Sequence, residues 1–378
     1  MNNNFYSIKL SEIADVFPGQ SPSSDSFSDK KDENSVPFLQ GSNTFGNLYP
    51  EIKKFTSKIT RLSKKNDVLI SVRAPVGDLN ITKEDTCIGR GLAAIRAFDG
   101  DNIFIYYALK NNIDNITKVG SGTKFSGIDK DIIKELQLIV PKEKTDRKKI
   151  SSFLFDLDSK IEINNQTNLE LEKISEDLYN FYFKSHICKK KNQKNYKHIN
   201  EIDLSIPEDW RYGKFGDYAS LYGGFAFKSS FWTTSGLPVV KIQNINEKYS
   251  LDFNNNSFVD ELKYEIDEKY LAKPGSVVIA LTGATIGKYG ITYGLDKLLL
   301  VNQRVGIFNT NGDPLQKLPF LINSLKQDYF RKKVYDISNG SDQDNISTDE
   351  INDIPLIIPS DKILKKYNEM CRPFYEEI

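Results

Sequence analysis

One pattern of polar and apolar positions occurs twice along the chain. Lys64-Lys-Asn-Asp-Val-Leu-Ile-Ser-Val-Arg-Ala-Pro-Val-Gly77 is its first appearance, and Ala272-Lys-Pro-Gly-Ser-Val-Val-Ile-Ala-Leu-Thr-Gly-Ala-Thr-Ile-Gly287 its second. Each reads as a polar turn, an apolar strand and a small-residue loop closed by glycine. Further on, Gly120-Ser-Gly-Thr-Lys-Phe-Ser-Gly-Ile128 matches Ser338-Asn-Gly-Ser-Asp-Gln-Asp-Asn-Ile346, and Ile133-Lys-Glu-Leu-Gln-Leu-Ile-Val-Pro141 matches Ile351-Asn-Asp-Ile-Pro-Leu-Ile-Ile-Pro359. Three matches in the same order mark an internal duplication.

Each copy then runs into a helical pattern. From Thr145 to Phe183 there is no proline or glycine. Ile150, Leu154, Leu157, Ile161, Asn164, Asn168, Leu171, Ser175, Leu178 and Tyr182 recur at alternating four- and three-residue steps, which is a heptad seam. At 1.5 Å per residue such a helix is about 58 Å long, and its apolar stripe calls for a partner. Asn164 and Asn168 interrupt the seam. Two readings of them stay open: they fix the register of a partner helix, or they face solvent. In the second copy Tyr367, Met370, Cys371, Phe374 and Ile378 take the places of Ile150, Phe153, Leu154, Leu157 and Ile161. The sequence stops there, and Pro373 inside the segment is expected to remove a hydrogen bond and kink it, so this second helix reads as truncated or natively short.

The expected organisation is a first domain over 1–144, a long helix over 145–183, a linker over 184–206, a second domain over 207–360 and the start of a second helix over 361–378. The linker is the most basic stretch, with Lys184, Lys189, Lys190, Lys191, Lys194 and Lys197. A phosphate contact and an ordinary solvated loop both fit it.

Composition narrows the function by exclusion. The 378 residues are 39% hydrophobic, 27% charged and 12% aromatic, enough for two ordinary domains. No apolar run is long enough to cross a membrane, and Met1 to Lys9 has no signal-peptide core. Cys87, Cys188 and Cys371 lie far apart, which argues against a disulfide framework or a zinc site and for a reducing cytoplasm. The net charge of zero weakens a nucleic-acid reading without removing it, because a basic face can coexist with an acidic one. Both histidines, His186 and His198, fall in the linker, a poor place for general acid–base or metal chemistry. Thr282-Gly-Ala-Thr-Ile-Gly-Lys-Tyr289 fails as a phosphate-binding loop: the glycine spacing is short and Lys288 is followed by tyrosine. No methyltransferase cofactor loop or catalytic motif is found, so no metal, cofactor or catalytic residue is expected.

Ile8-Lys-Leu-Ser-Glu-Ile-Ala-Asp-Val-Phe-Pro-Gly-Gln-Ser-Pro22 resembles the opening of a target recognition domain of a type I restriction-modification specificity subunit. Pro207-Glu-Asp-Trp-Arg-Tyr-Gly-Lys-Phe-Gly-Asp-Tyr-Ala219, followed by Gly223-Gly-Phe-Ala-Phe-Lys228, resembles the opening of a second. The resemblance implies an α+β fold: two tandem, pseudo-symmetric mixed α/β recognition domains separated by long antiparallel coiled-coil helices. It also implies that each domain reads one half of a split, asymmetric site in double-stranded DNA. The helices would set the spacing and dock two methyltransferase subunits, with restriction/translocase subunits joining through the complex. The methyltransferases would supply the S-adenosylmethionine chemistry, leaving this chain non-catalytic. A short second helix departs from the family pattern and bears on that docking.

Base edges in the major groove are read by Asn and Gln at adenine and by Arg or Lys at guanine, while phosphate contacts position the protein. On that chemistry the DNA-binding candidates are Gln40, Ser42, Asn43, Arg73, Arg90, Ser121, Thr123 and Lys124 in the first copy. In the second they are Gln243, Asn244, Asn246, Lys288, Arg304, Ser341 and Gln343. The spacer-helix seam candidates are Ile150, Leu154, Leu157, Ile161, Leu171 and Leu178. Two other classes remain: an orphan DNA-binding regulator, and a coiled-coil adaptor with two protein-binding modules.

Overall fold

A computed structural model of the chain describes residues 4–121, 127–189, 194–246, 250–253, 257–260, 266–292, 298–339 and 345–377. It divides into two compact units, Met1–Gln166 and Thr167–Ile378.

The apolar runs that announced the repeat are central strands buried on both faces. In the first unit, Val68–Ser71 sits in a four-stranded sheet whose order is Ala14–Pro18, Leu92–Ala97, Val68–Ser71, Leu79–Ile81. Side chains alternate across a sheet. Val68 and Ile70 therefore face one core with Ala93, Ile95, Phe104, Ile105 and Ile116, where the helices Asn102–Lys110 and Ile113–Ser121 pack. Leu69 faces the other way, with Leu39, Ile88, Leu92 and Ala94, toward a five-stranded sheet. That sheet has the order Phe27–Ser28, Phe55–Thr56, Val36–Leu39, Thr86–Ile88, Leu62–Ser63. A strand with two buried faces has no polar alternation, which is why the run reads as unbroken.

The second unit repeats this connection for connection. Its four-stranded sheet is Ser220–Gly223, Val305–Asn309, Val277–Ala280, Tyr289–Ile291, and its five-stranded sheet is Trp232–Thr233, Ser257–Val259, Leu237–Val240, Leu299–Val301, Leu271–Ala272. Val277 and Ile279 face one core, Val278 and Ala280 the other. Both five-stranded sheets contain one parallel pair, Phe38 opposite Cys87 and Val239 opposite Leu300.

Each unit also holds a two-stranded antiparallel ribbon, Phe5–Lys9 with Gln137–Pro141 and Arg211–Lys214 with Pro355–Ile358. The matching bonds extend to single atoms. Leu10 N–H donates to the Leu136 carbonyl and Phe215 N–H to the Ile354 carbonyl, both at 2.9 Å. Lys9 pairs with Glu135 at 2.6 Å and Lys214 with Asp353 at 2.7 Å. In each case the side-chain hydrogen bond to the carboxylate raises the lysine above its ordinary value.

The long helix spans Lys144–Tyr182. Near its start Leu154 and Phe155 pack on the first unit's core; near its end Tyr179 and Phe183 are buried in the second unit's. There it meets the last helix, Asp361–Glu377. Tyr367 lies 4.9 Å from Phe183 between ring centres, while Tyr375 hydrogen-bonds Ser175 at 2.9 Å. The two segments thus run in opposite directions. The last helix continues through Pro373, with only Phe374 to Glu377 beyond it. Proline there removes the one backbone bond to the carbonyl four residues back and leaves the preceding turns intact.

The stretch expected to be a linker over 184–206 contains an antiparallel hairpin, Tyr196–Ile199 with Leu204–Pro207. Ile206 and Trp210 enter the second unit's core, and Cys188 N–H reaches the Ser205 carbonyl at 3.1 Å. The lysine-rich composition concealed the alternation of Leu204 and Ile206 that builds this strand.

Candidate nucleic-acid interface

Four strand ends and their loops converge in each unit. In the first, Gly19 N–H donates to the Leu92 carbonyl at 2.8 Å and Gly91 N–H to the Gln40 carbonyl at 3.2 Å. Val72 N–H donates to the Gly91 carbonyl at 2.9 Å, and Arg73 bridges backbone to backbone with Gly127. This frame gathers Gln40, Arg73 and Arg90, all exposed. Among the described residues neither arginine has an ion-pair partner.

Gln40 is held by a residue that sequence reasoning passed over. Ser21 Oγ–H donates to Gln40 Oε1 at 3.1 Å, and the same hydroxyl accepts from Gln40 Nε2–H at 2.9 Å and from Arg90 N–H at 3.1 Å. One donor and two lone pairs are all a serine hydroxyl has, so Ser21 is saturated and ties three loops together. Ser42 donates to Asp78 Oδ2 at 2.6 Å. Asn43 is exposed and lines a groove with Gln40, Lys53 and Lys54, which adds two lysines the sequence did not single out.

In the second unit the corresponding bonds are Gly224 N–H to the Val305 carbonyl and Leu281 N–H to the Arg304 carbonyl, at 2.9 and 3.0 Å. Thr282 bridges with Asn345 where Arg73 meets Gly127. Ile242, Thr282, Gly283, Gln303, Arg304 and Asn345 line an open groove there. Gln243 and Arg304 are exposed, and Lys288 is half-buried.

Asn244 leaves the list of base-reading candidates. It is 2% exposed, its Oδ1 accepts from Lys241 N–H at 2.9 Å and its Nδ2–H donates to the Asp252 carbonyl at 2.8 Å. An amide buried with both ends bonded to backbone holds its loop and presents no edge to a base. Asn246 likewise closes a small turn, donating to Ser250 Oγ at 2.6 Å. By the strand pairing Leu39 and Val240 share a position, so Lys241 stands where Gln40 does. Lys241 is committed, with Nζ 2.7 Å from Ser257 Oγ and 4.0 Å above the Trp232 ring. Thr123, Lys124, Ser341 and Gln343 lie outside the described residues, as does the side chain of Ser121.

The profile of the family described as type I restriction modification DNA specificity domain matches residues 2–173 and again 207–376. The chain belongs to that family. Among similar proteins of this specificity family, the putative type I restriction enzyme MjaX specificity subunit of Methanocaldococcus jannaschii is 38% identical over 167 residues, covering 44% of this chain and 39% of that protein. The MjaIX specificity subunit of the same organism is 22% identical over 387 residues, covering 98% of this chain and 86% of that protein. The match thus spans less than half the length of the MjaX protein. The crystal structure of a type I restriction-modification S subunit from M. genitalium superposes with a TM-score of 0.60 at 16% identity, covering 99% of this chain and 90% of that one. It shares the fold: two tandem mixed α/β domains with a long helix between them in the chain.

Within this specificity-family fold the seam candidates separate into two groups. Leu154 and Leu178 pack against the two unit cores, and Leu171 is half-buried. Ile150, Leu157 and Ile161 are 39%, 47% and 47% exposed. Asn164 is exposed and Asn168 half-buried. No helix among the described residues is long and apolar enough to cross a membrane.

Proposed function

We propose that this chain is the sequence-specific DNA-recognition subunit of a type I restriction-modification complex. Each unit reads one half of a split, asymmetric site in double-stranded DNA. The helices set the spacing and dock methyltransferase subunits, which bring S-adenosylmethionine chemistry to adenine; restriction/translocase subunits join through the complex. This chain supplies the address and holds no cofactor of its own.

One observation carries the reading: two loop frames with the same backbone bonds carry different side chains. Arg73 stands where Thr282 does, and Gln40 where Lys241 does. A common scaffold with divergent loop chemistry suits two different half-sites, because base choice depends on side chains and positioning on the frame.

The test is salt-dependent binding to duplex DNA, by the chain alone and with its methyltransferase partner. A protein that neutralises six to ten phosphates loses about 10³- to 10⁵-fold in affinity between 50 and 200 mM salt. That loss is the expected result. No DNA binding at low salt in either form contradicts the proposal and favours a protein-binding adaptor.

A further inference from the structure

The turn after the inner strand of the five-stranded sheet makes the same backbone bonds in both units. In the first unit Gly89 N–H donates to the Leu39 carbonyl at 2.8 Å, and Leu92 N–H closes the turn on the Gly89 carbonyl at 3.0 Å. In the second, Asn302 N–H donates to the Val240 carbonyl at 3.0 Å, and Val305 N–H closes on the Asn302 carbonyl at 2.8 Å. The next residues also agree: Val72 N–H meets the Gly91 carbonyl and Leu281 N–H the Arg304 carbonyl. These bonds fix the register. Arg90 corresponds to Gln303, and Arg304 corresponds to Gly91.

Arg90 and Gln303 therefore occupy the same corner of the same turn. Both are exposed, and neither side chain has a hydrogen-bond or ion-pair partner among the described residues. The backbone beneath each is pinned. Arg90 N–H is bonded to Ser21 Oγ at 3.1 Å and Gln303 N–H to the Phe225 carbonyl at 3.0 Å. A free side chain on a fixed backbone is what base reading requires, because the discrimination comes from two hydrogen bonds in one plane.

The two side chains differ in the way that matters. A guanidinium donates two parallel hydrogen bonds to guanine O6 and N7, whereas a glutamine amide accepts from adenine N6 and donates to N7. We infer that this turn position is a paired specificity determinant, with Arg90 reading a guanine in one half-site and Gln303 an adenine in the other. The inference rests on the proposed DNA-recognition function and adds the residue and base to it. Ser21 is a positioning residue in this account, since its hydroxyl accepts from Arg90 N–H and so holds the backbone beneath that side chain.

The experiment is selection from randomised duplexes by the full chain with its methyltransferase partner, comparing wild type with Arg90→Gln and Gln303→Arg. Arg90→Gln is expected to change one position of one half-site from G·C to A·T, and Gln303→Arg to make the reverse change in the other. Each should shift preference at that position by about 10- to 100-fold. Arg90→Ala and Gln303→Ala serve if a swap abolishes binding, and should relax that one position only. Weaker binding with base preferences unchanged identifies a phosphate contact and overturns the inference while leaving the DNA-recognition function standing. A wild-type complex that selects no sequence at all overturns both.

Discussion

The backbone N–H of Gly19 donates to the carbonyl of Leu92 at 2.8 Å, an approach that leaves no room for a side chain. A Cβ on Gly19 would lie 2.1 Å from the Gly89 carbonyl oxygen. Gly224 repeats the arrangement, with a Cβ 2.3 Å from the Asn302 carbonyl oxygen. Gly19→Ala is expected to destabilise the first unit by about 1–3 kcal/mol through overpacking against backbone. Gly41→Ala, where the added Cβ meets nothing within 4 Å, should stay within about 0.5 kcal/mol of wild type. Denaturant melts followed by hydrogen exchange in each unit would check both values. Equal effects from the two substitutions contradict the packing argument.

The junction of the long helix with the last helix rests on a buried polar network. Asn323 Nδ2–H reaches both Ser175 Oγ and Tyr367 OH at 2.9 Å, and Tyr367 OH donates to the Ser175 carbonyl at 3.0 Å. Burial pushes the Tyr367 phenol far above its ordinary value, so it stays a neutral donor. Tyr367→Phe removes these bonds while Asn323 keeps Ser175 and the Pro319 carbonyl as partners, which should cost about 0.5–1.5 kcal/mol. Protection of helix amides from Ser175 to Tyr182 should fall with it. Unchanged protection there would show that apolar packing alone holds the junction.

Acid should weaken one helix start in particular. Glu350 accepts from the Ser347 N–H and hydroxyl, both at 2.8 Å, and these bonds hold its carboxyl below the ordinary value of 4.5. A depressed folded value means the contribution is present above pH 4.5 and fades as pH falls through the folded value. Glu350→Gln should therefore be less stable than wild type at pH 6, with the gap narrowing as pH falls below 4.5. A gap that widens toward acid contradicts this assignment.

The duplication was legible because its strongest signals have single physical causes. Val68–Ile70 and Val277–Ile279 are apolar without interruption since both faces of each strand are covered. Where two of the matched segments end, the bonds agree: Ile128 N–H meets the Val72 carbonyl at 3.0 Å and Ile346 N–H the Leu281 carbonyl at 2.9 Å. The interface was harder to read. Asn244 looks like a base reader until its burial is seen, and Gln303 was hidden beside the more conspicuous Arg304. Side-chain partners such as Ser21 and Gln40 are brought together by sheet pairing, which leaves no local periodicity in the sequence.

The most direct measurement of the central claim is the DNA sequence the assembled complex selects or methylates. The account predicts two short specified blocks, different from each other, separated by a gap of fixed length and unspecified bases. Replacing candidates in the first unit should alter one block and leave the other unchanged. A single continuous site, or changes in both blocks from a substitution in one unit, would contradict it.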